Sequence, residues 1–298
     1  MKKFKFKKID AFATEKSDGN PAGMVCLDSF DDITVDEMLR IAQELKGFVS
    51  EAGYVSKVDD NTFELKYYSS EKEVDFCGHA TIAIMYDLIK NNADLICRKQ
   101  INIITSKGKL TVQNRIVSED AVFISAPAPV FSENQVNPDS AAKALRIDVA
   151  EIDDRYPLSI VNAGLETLII PIKSLNQILS ISPLSDELKA FCIQNEIDII
   201  TVYTDQVADS ENRYRTRVFA PVFGYLEDPA TGSGNSALGC YLMKNKMWDG
   251  AFMSLEQNGR FDNPNIVKLM AKDAAGVKPQ VVFGGGAIVR IDGEYILQ

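Results

Sequence analysis

Between lysines, the apolar positions Phe4, Phe6 and Ile9 alternate along Lys3 to Ala13 and predict an opening strand. Apolar spacing at Met38, Leu39 and Ala42 predicts a helix over Val35 to Leu45. Strands are expected over Phe48 to Val58 and Thr62 to Tyr68, then a helix from His79 to Lys90. Strands resume through Ile101 to Thr105, Lys109 to Gln113 and Ala121 to Ile124, and the Pro127/Pro129 stretch is the best linker candidate. Near the end, Val281 to Leu297 reads as two strands around Gly284-Gly285-Gly286, which suits a flexible turn or bulge.

The second half repeats the first. Asp36-Glu37-Met38 corresponds to Asp186-Glu187-Leu188 at an offset of 150, each opening a helix. Lys66-Tyr67-Tyr68 corresponds to Arg217-Val218-Phe219 at an offset of 151. Cys77-Gly78-His79, running into Ile82-Ala83-Ile84, corresponds to Thr231-Gly232-Ser233, running into Ser236-Ala237-Leu238, at an offset of 154. Two copies of one unit imply an α/β (α+β) chain of two pseudo-symmetric domains, since a solenoid needs more and shorter repeats. We place the first domain at 1–120 and the second at 121–286. The strand 287–298 is a candidate to complete the first, although pattern alone does not choose between them.

Composition narrows the partners. Across 298 residues, 32 Lys plus Arg face 42 Asp plus Glu, a net charge of −10, which disfavours nucleic acid and anionic lipid. Uncharged apolar stretches such as Leu168 to Ile172 and Ala80 to Tyr86 fall far short of the roughly 18 residues of a membrane helix. The basic start is like the n-region of a signal peptide, but no apolar region follows it. Five scattered cysteines, Cys26, Cys77, Cys97, Cys192 and Cys240, form no C-x-x-C pair and suit a reducing, cytoplasmic setting. With one histidine in the chain, a zinc site would be built mostly from carboxylates, so no metal is expected.

In each repeat a strand ends in a polar turn that opens a helix. These are Asp75-Phe76-Cys77-Gly78-His79-Ala80-Thr81 and Asp228-Pro229-Ala230-Thr231-Gly232-Ser233-Gly234-Asn235. Free amides, the helix dipole and a close-approach glycine together suit a carboxylate or phosphate. The plainer alternative makes Asp75, Thr231 and Ser233 ordinary caps. His79, the only histidine, sits at one of these turns. Gly232-x-Gly234-x-x-Ala237 fits the dinucleotide fingerprint in form, but Pro229 interrupts the strand that should lead into it, and the partner turn has no second glycine. Glu51 breaks its surroundings: strand alternation puts it with Val49, Gly53 and Val55. An apolar wall raises a Glu pKa toward neutrality, as suits a general acid/base, whereas an edge-strand Glu would simply reach water. Its counterpart at the 150-residue offset is Thr201, so the acid occurs once.

Ile9-Asp10-Ala11-Phe12 with Gly19-Asn20-Pro21-Ala22, Ser50-Glu51-Ala52, Phe76 to Thr81 and Glu227 to Ser233 together resemble the phenazine-biosynthesis PhzF-like isomerase family. That family belongs with the diaminopimelate epimerase and proline racemase fold. The resemblance implies two similar domains, each a curved mixed sheet wrapped round a central helix, with the site in a cleft between them. It implies a catalytic set of Glu51, as proton carrier, with His79, Asp228 and Ser233. It implies a substrate-binding set of Asn20, Cys77, Gly78, Ala80, Thr231 and Gly232, the amides of Gly78 and Gly232 holding a carboxylate. No cofactor is implied. Two departures touch the outer pocket: Ser69-Ser70 stands where the family has Thr-Pro, and Glu256-Gln257-Asn258-Gly259-Arg260 keeps only part of a later pattern.

The racemase branch works with two cysteines, one from each turn, and here Thr231 takes the second place. A threonine hydroxyl is far too weak an acid to exchange that proton. The expected function is therefore a cofactor-independent isomerase that moves a proton on a small, cyclic, carboxylate-bearing substrate. Two rivals stay open: a Cys77-dependent epimerase or dehydratase of a proline-like amino acid, and a small-molecule binding protein without turnover. A homodimer is compatible with the sequence.

Overall fold

A computed structural model describes residues 1–274 and 277–298. The chain divides into two compact units, Met1–Ile124 with Gly284–Gln298, and Ser125–Phe283.

In the first unit the strand Lys2–Ala11 lies between two antiparallel neighbours, Asn20–Leu27 and the C-terminal Ala287–Leu297. Asn20–Leu27 pairs in parallel with Glu51–Asp59, which runs antiparallel to Thr62–Tyr68. Thr62–Tyr68 then pairs in parallel with Gln100–Thr105, and Gly108–Arg115 and Ala121–Ser125 follow antiparallel. The expected strand over Phe48 to Val58 begins only at Glu51, because Val49 makes an isolated bridge with Lys46 instead.

Alternation along Glu51–Asp59 assigns its two faces. A Cβ on Gly53 would lie 2.4 Å from Ile84 Cδ1, on the helix Gly78–Lys90. The next residue, Tyr54, points the other way and donates its hydroxyl to Met38 O at 2.7 Å, on the helix Val35–Glu44. Glu51 shares the parity of Gly53 and so faces the helix Gly78–Lys90. Packing rather than capping defines that helix. Ile82, Ile84, Met85 and Ile89 are fully buried, and each contributes about 1.5–3 kcal/mol, more than the roughly 1 kcal/mol of the side-chain cap that Cys77 does not supply.

The second unit repeats this order. Ser159–Asn162 runs antiparallel to Glu166–Pro171, which pairs in parallel with Ile199–Thr204. Tyr214–Phe219 follows antiparallel, Met253–Gln257 in parallel and Asn265–Ala274 antiparallel. Its central helix is Gly232–Lys244, 13 residues like its counterpart. Before each central helix, a two-residue strand pairs back on the preceding one, Tyr67 with Val74 and Val218 with Asp228. Outside the sheet, Leu145, Ile178, Leu188 and Cys192 pack against Ile200, Val202 and Phe219.

Gly284-Gly285-Gly286 is not a free turn. Gly284 and Gly285 continue the strand Val277–Gly285, and Gly286 O accepts the amide of Phe12 at 2.8 Å. Among the described residues no helix is long and apolar enough to cross a membrane.

Candidate active site

The start of the first central helix gathers three reactive side chains. Cys77 is its N-cap residue, extended at φ −125° and ψ 112°, and its side chain makes no capping hydrogen bond. Two residues on, the His79 ring turns back, with Nδ1 3.4 Å from Cys77 Sγ. Its Nε2 stands 3.1 Å from Glu51 Oε2, with side chains only 12% and 21% exposed. That contact is an ion pair by distance but lies off the hydrogen-bond direction, so Oε2 is buried with no donor aimed at it.

Two opposing forces set the charge of Glu51. Burial pushes the carboxyl up, but the charge of His79 and the polar hydrogens of His79 and Cys77 outweigh it and hold the group below its ordinary range. This corrects the expectation of a raised pKa, which considered the wall and not the cation. Burial likewise opposes the charge on His79, yet the adjoining Cys77 and Glu51 raise its pKa well above the usual 6.5. The Cys77 thiol is pushed up by burial, against the pull of His79.

Other predicted residues stand around this cluster. Asn20 is buried and accepts from Ser50 Oγ at 3.1 Å, one residue before Glu51. Gly78 and Ala80 complete the first helical turn, whose leading amides carry no side-chain cap. Asp75 is no cap; it pairs with Lys107 at 2.9 Å. A relay absent from the sequence reading fixes the turn: Tyr67 Oη bonds Thr81 Oγ1, which donates to Cys77 O, both at 2.7 Å.

The second unit builds the same turn from different polar groups. Thr231 occupies the N-cap position at φ −126° and ψ 114°, also without a side-chain cap bond. Its hydroxyl goes instead to Asp228 Oδ2, at 2.6 Å, and Ser233 sits half-buried two residues on. The capping roles considered for Thr231 and Asp75 are thus not taken up. The strand registers correct the counterpart of Glu51: Val218 pairs with Thr201 and Asp228 as Tyr67 pairs with Gly53 and Val74, so Thr201 stands in the place of Gly53 and Ile199 in that of Glu51, and the acid still occurs once. Thr201 Oγ1 is buried without a hydrogen-bond partner.

Gln257 and Asn235, neither anticipated as site residues, hold this second turn. Gln257 Oε1 accepts from Thr231 N at 2.9 Å and from Asn235 Nδ2 at 2.6 Å. Gln257 Nε2 donates to Asp228 O at 2.8 Å. The signal was an amide on the buried side of an apolar helix, at Asn235.

The sequence profile of the phenazine biosynthesis-like protein family, PhzC-PhzF, matches residues 9–293. The chain belongs to this family. An uncharacterized isomerase of Clostridium acetobutylicum is 28% identical over 307 aligned positions, covering 100% of this chain and 99% of that one. A PhzF-family phenazine biosynthesis protein of Bacillus anthracis superposes with a TM-score of 0.88 at 24% identity, all of both chains being covered. A predicted epimerase of Pseudomonas aeruginosa superposes at 0.75 with 16% identity, covering 99% of this chain and 100% of that one. The fold is therefore the expected epimerase-like one, and the PhzF-family chain is an isomerase.

Glu51, Cys77 and His79 each offer one ligand atom, all within 4.8 Å of one another, so they are the described residues able to hold a metal ion. They supply one carboxylate, one thiol and one imidazole, a different set from the carboxylate-rich one the histidine count suggested.

Proposed function

We propose that this PhzF-family isomerase moves a proton within a small, cyclic, carboxylate-bearing molecule without a cofactor, and that Glu51 carries the proton. The observation that bears the reading is the half-buried Glu51, whose Oε2 is buried free of any hydrogen-bond donor with His79 Nε2 3.1 Å away. Glu51 takes a proton from an acidic carbon; the electron pair left behind delocalises into the adjoining π system. The same carboxyl then returns the proton at a second carbon, so atoms and charge balance without redox chemistry. His79 keeps the carboxylate ionised between turnovers and stabilises negative charge as it develops.

The uncapped amides at Gly78 suit the substrate carboxylate, with Asn20, Cys77 and Ala80 as its neighbours. The turn at Thr231 and Gly232, with Asp228 and Ser233, offers the same kind of amides in the second unit and is a ligand-binding turn on this reading. A cytoplasmic setting suits the five free thiols. A thermal-shift screen of cyclic and aromatic amino acids, followed by deuterium wash-in from D₂O, tests the proposal. Saturable binding without deuterium incorporation would leave a binding protein instead.

One observation favours a second reading, the 3.4 Å approach of Cys77 Sγ to His79, as a thiol-dependent epimerase or dehydratase needs. Against it stands the thiol's raised pKa. Inactivation by iodoacetamide that a proline-like ligand prevents would support it.

A further inference from the structure

The geometry points to a second property of the Glu51–Cys77–His79 cluster: it is an inhibitory site for a thiophilic divalent cation of the zinc type. The inhibition, though not the binding, rests on the role proposed above for Glu51.

Zinc takes nitrogen, sulfur and oxygen ligands at about 2.0–2.3 Å in a tetrahedron, which sets ligand-to-ligand edges of about 3.3–3.7 Å. Here His79 Nε2 lies 3.1 Å from Glu51 Oε2 and 3.9 Å from Cys77 Sγ, so the two edges bracket that range. All three ligand atoms lie within 4.8 Å of one another. Oε2 is buried with no hydrogen-bond donor, a lone pair that a cation would satisfy. Binding requires Cys77 as thiolate and His79 as neutral imidazole, and any proton either carries goes to solvent. Carboxylate, thiolate and neutral imidazole then carry two negative charges against the cation's two positive ones, and a neutral buried complex avoids the cost of an uncompensated charge. Three protein ligands leave the fourth position to water. A thiolate and an imidazole disfavour Mg²⁺ and Ca²⁺, which prefer oxygen. The bound cation occupies the lone pair that would accept the substrate proton, so it blocks the reaction rather than assisting it.

Chelator-treated, dialysed protein should be titrated with Co²⁺ while near-ultraviolet absorption is recorded, and with Zn²⁺ by calorimetry. One equivalent of Co²⁺ should give a thiolate-to-cobalt charge-transfer band that Zn²⁺ removes. Cys77→Ser should lose the band. Glu51→Gln should keep it but weaken Zn²⁺ binding by more than the roughly 10–100-fold that loss of an outer-shell partner costs. Cys97→Ser, at an exposed thiol outside the cluster, should bind as the wild type does. If Cys77→Ser does not fold, the contrast between Glu51→Gln and Cys97→Ser decides. Absence of one-to-one binding, a band that disappears in Cys97→Ser, or Zn²⁺ affinity unchanged in Glu51→Gln would overturn the site. These readouts are independent of turnover. Metal bound at the cluster, with deuterium exchange equal in wild type and Glu51→Gln, would remove Glu51 as proton carrier and leave the metal site standing.

Discussion

At Glu51 the sign of the pKa shift is decided by one neighbour. Removing the charge in His79→Gln leaves burial as the largest influence, so the Glu51 carboxyl rises and the acidic limb of the pH–rate profile moves to higher pH. An unmoved limb would show that His79 does not hold the carboxylate ionised. The pair also contributes to stability over a definite window. Glu51 is lowered in the folded state, so its contribution is present above the usual 4.5 and is lost as pH falls through the lower folded value. His79 is raised, so its contribution is full below 6.5 and is lost as pH rises through the higher folded value. Thermal melts of wild type and His79→Gln should therefore differ most between pH 4.5 and 6.5 and converge on the alkaline side. Glu51 itself was legible as an acid on an apolar strand face. Its pairing was not, because His79 reaches it from the start of a helix, and strand periodicity carries no information about that contact.

Among elements, the duplicated strand–turn–helix was the easiest to read, because the glycine turn and the apolar helix behind it both recur at an offset of 154. Both turns were legible as helix starts with polar residues beside them, though not as lacking side-chain caps. The groups that fix them were not, since Tyr67 and Gln257 reach them across the fold from strands before and after the helix, and periodicity carries no sign of those side-chain bonds. Gln257→Leu leaves Thr231 N buried without its acceptor, at a cost of about 1–3 kcal/mol, and takes one of two acceptors from Asn235 Nδ2, which keeps Thr231 O at 2.8 Å. Urea unfolding should show a loss of at least about 1 kcal/mol, and a loss under about 0.3 kcal/mol would mean that the turn does not depend on Gln257. Gly284, read as part of a flexible turn, is required by close packing: an added Cβ would lie 2.2 Å from Val122 O. Gly284→Ala should cost about 1–3 kcal/mol by overpacking, while Gly293→Ala, where nothing lies within 4 Å, serves as the tolerant control.

For the molecule as a whole, pattern alone left the C-terminal strand unassigned, because its hydrophobicity fits either repeat. Backbone pairing decides it: Lys2 to Ala11 matches Leu297 back to Ala287, with one register shift at Lys8/Ile9. Deleting residues 287–298 should expose one edge of the first strand, and hydrogen exchange should then rise across 2–11 while 199–219 keep their protection. Equal protection before and after deletion would mean that the first unit does not depend on this strand. The central claim, that Glu51 carries the proton, is tested most directly by solvent deuterium incorporation into a cyclic amino acid that both proteins bind, compared between wild type and Glu51→Gln. Gln keeps the volume of the side chain but cannot exchange a proton at neutral pH, and general acid/base catalysis contributes roughly 10²–10⁴-fold. The account predicts retained binding with exchange slowed by at least about 10²-fold. Exchange at the same rate in both proteins would contradict it and turn attention to Cys77.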